Sequence, residues 1–341
     1  MAAAILMILN DMQHLDSRER VRYFREEISK EKMITLDFSY LAGTLESWWI
    51  KHSLQDTHSS KIQLINLLLT YLRSDDLYHI DKVGLLNGTA AICIKNIFAL
   101  DSPKLALIVH EALSDLFHLT DVKYEYEEHK ALYLKPFAEQ YREWGNGLGD
   151  ITPHSDDLYE SLKVDYLALT VCRDTTKTPT AYYFPSDLIA DLSDEDVGEL
   201  LGMQATFISG KNVTGLKNRI RQVVEYSDIY GFQFALDFRI DSQSGERMRA
   251  ANGGQHVLDK IRARLPHAKQ HHSTAEPGTF LIIANHKVLH ARSVLNIDAN
   301  EVREQAHHST LNSTPRLLFR SKGPRKQYHP LDEPAGIQEA R

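Results

Sequence analysis

The sequence predicts an α+β protein with a mainly helical first part and a strand-rich second part. In the first part, the segments "SSKIQLINLLLTYLRSDD" and "DSPKLALIVHEALSDLFHLT" place apolar residues at the spacing of one helical face. From about residue 150 the apolar segments are short, rich in β-branched and aromatic residues, and bounded by turn residues, which is typical of strands. Strands spread over such a length, with helices inserted between them, indicate a sandwich or barrel and not an alternating βαβ fold.

Local signals mark where several of these elements begin. The second helical segment has Ser102 placed as its N-cap and Pro103 at its first position. It also carries His110, for which a packed or surface position is favoured over metal binding. Two helices are predicted inside the strand-rich part, "SDLIADLSDEDVGELLG", with Ser186 as its cap, and "GERMRAANGGQHVLDKIRARL". The predicted strands are "VDYLALTVCRD", "TAYYFP", "GFQFALDFRI", "GTFLIIANHKVLHARS" and "PRLLFRS".

The composition is that of an ordinary globular protein. The chain has 341 residues, of which 43% are hydrophobic and 25% charged, so it is long enough to bury a large core. We expect a single domain over residues 1–325, with a mainly helical part over 1–120 and the strand-rich core over 150–325. Residues 326–341 are expected to form a tail.

Charge and cysteine content exclude several classes of protein. With a net charge of −7 and no prominent basic patch, the chain is not expected to bind nucleic acid. No apolar run approaches the length that spans a bilayer, so no membrane partner is expected. Cys93 and Cys172 are too few for a disulfide framework, which favours reduced core residues and a cytoplasmic setting. The start "MAAAILMIL" is expected to begin an amphipathic helix rather than to act as a signal peptide.

A histidine and a carboxylate two residues apart on an extended segment share one face and can bind a metal ion from one side. Composition alone predicts about 2.3 His-x-Asp/Glu triplets in such a chain. The sequence contains three, beginning at His14, His79 and His154. His14 is predicted on a helix, where residues two apart do not share a face, and His79 lies among helices. His154 and Asp156 are favoured because they open the strand-rich part.

A third ligand is available downstream, in "GTFLIIANHKVLHARS". There His290 follows two apolar residues, where a strand would carry its side chain inward, whereas the rival His286 lies in a predicted turn. We therefore favour His290. Two histidines and one carboxylate form the facial triad of non-haem Fe(II) oxygenases, which leaves coordination positions open for a cosubstrate and O2.

Two arginines in "PRLLFR" could bind a dicarboxylate cosubstrate. Arg316 and Arg320 are four residues apart, so a strand would place both on one face. Inward-facing guanidinium groups among Leu and Phe side chains would be costly without anions, and arginine binds carboxylates in a bidentate way. The alternative is an edge strand with both side chains in solvent.

The order of these motifs resembles that of the Fe(II)/2-oxoglutarate-dependent oxygenases. His-x-Asp is followed by "LHARS" and then by "RLLFR", which is similar to the clavaminate synthase-like branch, a branch that includes hydroxylases of free amino acids. In that branch a His-Gly-Arg strand supplies the distal ligand and an Arg-x-x-x-Arg follows. Here Ala replaces Gly, Asp156 stands where several members have Glu, and the segment before Arg316 is longer than usual. The resemblance covers roughly residues 100–325.

The resemblance implies a double-stranded β-helix (jelly-roll) core with N-terminal and inserted helices. It implies Fe(II) as cofactor, with 2-oxoglutarate and O2 as cosubstrates, and hydroxylation of an unactivated C–H bond with release of succinate and CO2. In the family the first arginine of the pair binds the 2-oxoglutarate carboxylate, which corresponds to Arg316. A family threonine contacts the same cosubstrate; Thr180 is preferred because it begins a strand, and Thr178 stays open.

The resemblance also implies a small-molecule amino-acid substrate. Arg320 corresponds to the residue that binds the substrate carboxylate in amino-acid hydroxylases. Asp237 and Asp241 in "ALDFRID" are candidates for binding a basic side chain, as an acidic pair does in arginine hydroxylases, and Asp157 and Glu160 are further candidates. L-lysine is therefore the first choice of substrate, L-arginine the second and a neutral amino acid the third.

Two other classes of protein stay open at this point. One is a non-catalytic jelly-roll module that only binds metal, and the other is a hydrolase that uses zinc. The sequence also leaves open whether the chain forms a homo-oligomer.

Overall fold

The computed structural model describes residues 16–83, 88–120, 122, 132–136, 147–210, 213, 215–227, 230–241, 245–273, 275–300, 302 and 314–324. The predicted helix at "MAAAILMIL", His14 and the predicted tail over 326–341 lie outside them. The α-helices are α1 (Ser17–Ser29), α2 (Ser39–His52), α3 (Thr57–Tyr71), α4 (Ser74–Leu77), α5 (Pro103–Leu116), α6 (Pro185–Leu188), α7 (Asp194–Leu201) and α8 (Gln255–Arg264). A π-helical turn covers Tyr78–Val83. The strands are β1 (Lys32–Asp37), β2 (Thr89–Lys95), β3 (Leu132–Leu134), β4 (Ile151–His154), β5 (Tyr166–Asp174), β6 (Thr180–Tyr183), β7 (Gln204–Ile208), β8 (Asn218–Gln222), β9 (Val224–Ser227), β10 (Gly231–Phe234), β11 (Ile240–Asp241), β12 (Gly245–Glu246), β13 (Met248–Ala250), β14 (His271–His272), β15 (Thr279–Ala284), β16 (Leu289–Arg292) and β17 (Arg316–Gly323).

The mixture of helices and sheets agrees with the predicted α+β class. The mainly helical first part also contains β1 and β2, which the sequence did not predict. Every residue of β2 from Thr89 to Ile94 is buried, so both of its faces are covered and the strand shows no alternation of polar and apolar residues. A short apolar run of this kind cannot be distinguished from part of a buried helix by periodicity.

The largest sheet has six strands in the order β1-β2-β15-β5-β17-β3. β1 and β2 are parallel, and the other neighbouring strands are antiparallel. Early and late parts of the chain therefore alternate across this sheet. Helices α2, α3 and α5 pack on one face of it, in a core that includes Leu45, Leu64, Ile108, Phe280 and Phe319.

A second sheet, of four strands in the order β14-β6-β16-β4, carries the predicted metal ligands. Beside it lie the three-stranded sheet β13-β7-β8 and the hairpins β9-β10 and β11-β12. These strands share a second core with α1, α7 and α8, which contains Phe24, Val197, Phe207 and Ile261. The site described below lies on the β4 and β16 strands of the four-stranded sheet.

Two of the predicted helix starts can be compared with the structure. Ser102 caps α5 as predicted, because its Oγ accepts a hydrogen bond from the Leu105 backbone N–H at 3.3 Å. The prediction that Ser186 caps the first inserted helix is wrong, because that segment forms two helices. Ser193 caps the second of them, α7, in a capping box: its Oγ accepts from the Asp196 N–H at 3.1 Å, and its own N–H donates to the Asp196 carboxylate.

The second inserted helix is shorter than predicted. It begins at Gln255, and the preceding residues form β12 and β13. Gly253 and Gly254 have φ angles of +102° and +80°, in the region that favours glycine and ends any continuous helix. A Cβ atom at Gly254 would also lie 2.5 Å from the Met203 side chain.

The two cysteines are buried and unbridged, as predicted. Burial raises the pKa of the Cys172 thiol to about 12, so this thiol stays protonated at neutral pH. Among the described residues, no helix combines the length and the apolar character needed to cross a bilayer.

His110 lies in the core and not in a metal site, in agreement with the prediction. It is fully buried between α5 and the six-stranded sheet. Its Nδ1 lies 2.8 Å from the Thr170 hydroxyl and its Nε2 lies 2.8 Å from the Ser321 hydroxyl. Burial lowers the pKa of His110 from 6.5 to about 3.

We expect His110 to make the protein less stable in acid. The unfolded chain takes up a proton on this histidine below about pH 6.5, whereas the folded protein does not until about pH 3. The free energy of unfolding should therefore fall as pH drops through this window, by at most about 1.4 kcal/mol per pH unit from this residue. His110→Gln keeps a donor and an acceptor but does not titrate. Denaturant unfolding of both proteins between pH 6 and 4 should give a shallower slope for the variant, and equal slopes would contradict the prediction.

Candidate metal centre

His154, Asp156 and His290 come together at the end of β4. This strand pairs with β16, and His290 lies directly opposite His154, with ring centroids 4.1 Å apart. The Nε2 atoms of His154 and His290 lie 3.3 and 3.8 Å from the same oxygen, Asp156 Oδ1. One ligand atom from each residue lies within 4.8 Å of the others. No other such group of three His, Cys, Asp or Glu side chains occurs in the part of the chain that the structure describes.

Backbone hydrogen bonds fix the segment that carries the first two of these residues. Pro153 keeps the preceding residue extended, and its carbonyl accepts from the Phe238 N–H at 3.1 Å. The Ser155 N–H donates to the Leu236 carbonyl at 2.8 Å. The residues around His154 are therefore bonded on one side to the segment 236–238 and on the other to β16.

Two polar residues that were not predicted from the sequence, Asn285 and Lys287, lie in the turn between β15 and β16, and Asn285 holds the backbone of Asp156. The side-chain oxygen of Asn285 accepts from the Asp156 N–H at 2.7 Å, and its amide N–H donates to the Asp156 and Val164 carbonyls. Lys287 forms a buried ion pair with Glu31 at 2.7 Å. A polar "NHK" directly after the apolar run "TFLIIA" is the sequence signal that could have found them.

The tautomer and protonation state of the two histidines suit metal binding. Nδ1 of His154 lies 2.8 Å from the Thr152 carbonyl, a bond that Nδ1–H donates, so its Nε2 lone pair points to Asp156. Burial, followed by the nearby charge of His154, lowers the pKa of His290 to about 3, and burial and Arg239 lower that of His154. Both imidazoles are therefore neutral at neutral pH.

Asp156 is the anionic member of the group. Its burial would raise its pKa, but its cationic surroundings, which include Arg320, outweigh that effect and hold the pKa well below its usual range. Its Oδ2 atom is buried without a hydrogen-bond partner among the described residues. Two neutral imidazoles and a carboxylate with an unsatisfied buried oxygen fit a divalent metal ion.

His286, the rival candidate, lies outside this group. It is in the turn after β15, and its carbonyl accepts a hydrogen bond from the Phe234 N–H at 2.6 Å. Its side chain lines a separate small cavity with Tyr230, Gln233 and Lys287. The geometry therefore agrees with the choice of His290.

Arg316 and Arg320 lie in different surroundings. Arg316 is 3% exposed, and its Nε donates to Asp174 Oδ2 at 3.0 Å. Arg292, also buried, donates to the Gly147 and Gly149 carbonyls, and burial and the charge of Arg316 lower its pKa to about 9. Arg320 instead reaches the metal-ligand group, with Nη1 4.0 Å from Asp156 Oδ2. Neither arginine is a fully exposed edge-strand residue.

Thr178 and Thr180 both lie close to residues that surround Arg316. Thr178 is buried and its hydroxyl lies 2.9 Å from Thr176 Oγ1, and the Thr176 backbone N–H donates to Asp174 Oδ1 at 3.0 Å. Thr180 begins β6 and lies opposite Arg292 in the strand pairing. The choice between them as a cosubstrate contact stays a prediction.

Three of the four acids predicted to bind the substrate form ion pairs with cationic side chains of the protein. Asp157 lies 2.6 Å from Lys322 Nζ, and Glu160 lies 2.9 Å from Lys217 Nζ.

Asp237 accepts two hydrogen bonds from the Arg239 guanidinium, at 2.9 and 2.7 Å. Asp241 is buried in β11 and also interacts with another residue. Arg239 was not predicted from the sequence as part of the site. Its position two residues after Asp237 on an extended segment could have indicated that the two side chains share a face.

No family model matches the sequence, and no curated protein matches it. Solved structures are similar in fold. The non-haem iron oxygenase OrfP in complex with Fe and alpha-ketoglutaric acid has a TM-score of 0.62 at 13% identity, covering 86% of this chain and 95% of that one. The same oxygenase with Fe and L-Arg gives 0.58 at 13% identity, covering 86% and 94%. An asparagine oxygenase in complex with Fe(II), 3-hydroxyasparagine and succinate gives 0.57 at 14% identity, covering 85% and 92%. This chain shares the fold of these oxygenases.

Proposed function

We propose that this chain, which has the fold of those non-haem iron oxygenases, is an Fe(II)/2-oxoglutarate-dependent oxygenase that hydroxylates a free L-amino acid. The observation that carries the proposal is the convergence of His154, Asp156 and His290 on one point. His154 ends β4, Asp156 lies in the turn directly after it, and His290 lies opposite His154 on β16, so the three side chains could bind a metal ion as a facial triad.

The charge around Arg316 supports 2-oxoglutarate as the cosubstrate. Two buried guanidinium groups, Arg292 and Arg316, lie near one buried carboxylate, Asp174. Guanidinium groups that are removed from water are stabilised by contact with anions. A carboxylate of the cosubstrate would supply such a contact, with Thr180 or Thr178 adding a hydroxyl contact.

Each residue of the site has a distinct task in this proposal. His154, Asp156 and His290 would hold Fe(II), with the Thr152 carbonyl fixing the tautomer of His154. Arg316 would bind the far carboxylate of 2-oxoglutarate, and Arg320 would bind the carboxylate of the amino acid close to the metal. When bound, the iron and 2-oxoglutarate supply the oxidising chemistry that inserts one oxygen atom of O2 into a C–H bond, with succinate and CO2 as the other products.

We infer that the six-stranded and four-stranded sheets are the two halves of a double-stranded β-helix (jelly-roll) core. The metal ligands on β4 and β16 would then lie inside its open end. We also infer one domain over residues 1–325, because the shared core of α2, α3, α5 and the six-stranded sheet joins the helical part to the strand-rich part.

The amino acid itself is a finer question. The sequence favours L-lysine first, L-arginine second and a neutral amino acid third. That order assumes acids that are open to a basic side chain, whereas Asp237 is paired with Arg239. All of these amino acids belong in the test.

The test is a turnover assay with the protein loaded anaerobically with Fe(II). 2-Oxoglutarate, O2 and a panel of free amino acids are added, and succinate and any product heavier by one oxygen atom are measured by mass spectrometry. We expect succinate in amounts that match the hydroxylated product for at least one amino acid. Absence of succinate with every amino acid, and also without any, would rule out the oxygenase.

Two alternatives predict a different result in this assay. A zinc hydrolase would need neither 2-oxoglutarate nor O2, and a non-catalytic metal-binding module would consume neither. Both would release no succinate, and the module would still bind metal through His154, Asp156 and His290.

A further inference from the structure

Arg239 places a positive charge beside the candidate metal ligands. Its Nη1 lies 3.9 Å from Asp156 Oδ1, and its side chain is 12% exposed, so it is largely buried but not sealed off. On the proposed function, a substrate bound next to the metal would lie within reach of this guanidinium.

Arg239 is held firmly in this position. Its Nε and Nη2 donate to the two carboxylate oxygens of Asp237 in a bidentate pair, and its backbone N–H donates to the same carboxylate at 3.1 Å. The Asp237 side chain is 3% exposed. A bidentate pair with a buried carboxylate fixes both partners in one geometry.

A second cation, Arg247, lies close to the carboxylate of Asp237. Arg247 Nε lies 3.6 Å from Asp237 Oδ2 and donates to the Ile208 carbonyl, and its guanidinium lies over the Tyr159 ring. Asp237 is thus shared between two guanidinium groups, and the other carboxylate close to Arg239 is the candidate metal ligand Asp156. Arg320, on the other side of Asp156, adds a further cation.

Two acids that follow Asp156 in the sequence are already paired with lysines of the protein. Asp157 is paired with Lys322, and Glu160 is paired with Lys217. A lysine or arginine substrate would bring another cation to Arg239, and like charges that are partly desolvated repel strongly. A carboxylate on the substrate side chain would instead meet a fixed guanidinium of opposite charge, whose Nη1 atom faces the metal-ligand group.

We propose that the cluster of Arg239, Arg247 and Asp237 selects an amino acid with an acidic side chain, L-aspartate or L-glutamate. Arg320 would bind the α-carboxylate and Arg239 the side-chain carboxylate, so the two ends of the substrate are fixed on either side of Asp156. The reaction is amino acid plus 2-oxoglutarate plus O2 giving hydroxy-amino acid, succinate and CO2. This inference rests on the proposed oxygenase function and names its substrate class.

The first test uses the wild-type protein and needs no variant. Fe(II)- and 2-oxoglutarate-loaded protein is given L-aspartate, L-glutamate, their amides, L-lysine and L-arginine, and kcat/KM is measured from succinate and hydroxylated product. We expect an acidic amino acid to exceed L-lysine and L-arginine by roughly a hundredfold or more. The amides, which match the acids in shape but lack the charge, should fall between them.

The second test changes the charge. Arg239→Met removes the guanidinium and leaves Asp237 to face the site, so activity on acidic amino acids should fall by roughly a hundredfold while activity on L-lysine rises. Arg249→Met, which removes an exposed arginine from β13, is the matched control and should leave the preference unchanged. If Arg239→Met does not fold, the wild-type series alone decides.

The outcomes separate this inference from the function on which it rests. Coupled turnover that is fastest with L-lysine or L-arginine, or with an amide, would overturn the acidic substrate class and keep the oxygenase. Succinate absent in every arm, with or without amino acid, would overturn both. An unchanged preference in a folded Arg239→Met protein would remove Arg239 from the role proposed for it.

Discussion

Replacement of Asp156 with alanine is expected to abolish both Fe(II) binding and hydroxylation. The two imidazoles that remain are neutral, so no anionic ligand is left to offset the charge of the metal. Loss of a direct ligand should cost more than loss of an outer partner, so metal affinity should fall by more than about a hundredfold. The measurements are iron content after desalting and the absorbance of the Fe(II)–2-oxoglutarate complex.

The matched control for this experiment is His79→Ala. His79 begins another His-x-Asp triplet, but it lies in the π-helical turn and not in the metal-ligand group. This variant should keep the absorbance band. An intact band in Asp156→Ala or His154→Ala, or its loss in His79→Ala, would contradict the assignment of the ligands.

Replacement of Arg316 with methionine is expected to have two effects of different origin. Asp174 would lose its buried cationic partner, and breaking such a pair costs about 3–5 kcal/mol of stability. The affinity for 2-oxoglutarate should fall by about two to three orders of magnitude, because a desolvated carboxylate would lose its bidentate partner. Denaturant unfolding measures the first effect, and titration of the Fe(II)–2-oxoglutarate absorbance measures the second.

A second substitution separates these effects. Asp174→Asn in the Arg316→Met background removes the unpaired charge and should restore much of the stability. The cosubstrate affinity should stay low, because the guanidinium is still missing. Recovery of affinity together with stability would show that Arg316 has a structural role only.

The grouping of His154, Asp156 and His290 could be predicted because it depends on local rules. Residues two apart on an extended segment share a face, which is the rule that selects His154 and Asp156, although β4 ends at His154 and Asp156 lies in the turn that follows. An apolar pair before His290 indicates a strand that turns its side chain inward. The strand pairing that brings the two histidines opposite each other is long-range, so the sequence could only supply the order of the motifs. The structure supplies the register, His290 against His154.

The charges around the site could not be predicted in the same way. The sequence marks Asp237 and Asp157 as acids but cannot show that Arg247, between β12 and β13, lies near the first, or that Lys322, on β17, pairs with the second. The same is true of Asn285, whose amide joins segments more than a hundred residues apart. Side-chain partners across distant segments are fixed by packing and not by periodicity.

The alternating order of the six-stranded sheet has a consequence for the way the chain is made. β2 can pair on its inner edge only after β15 has been synthesised. β5 can pair with its two neighbours only after β15 and β17 have been synthesised. Pairings over such sequence separations are slow, because a long loop must close before any contact forms. During synthesis, the apolar strand β2 therefore has β1 but not β15 beside it until about four fifths of the chain has been made. A nascent chain in this condition exposes strand edges that promote aggregation, so we expect the yield of folded protein to depend on chaperones and growth temperature.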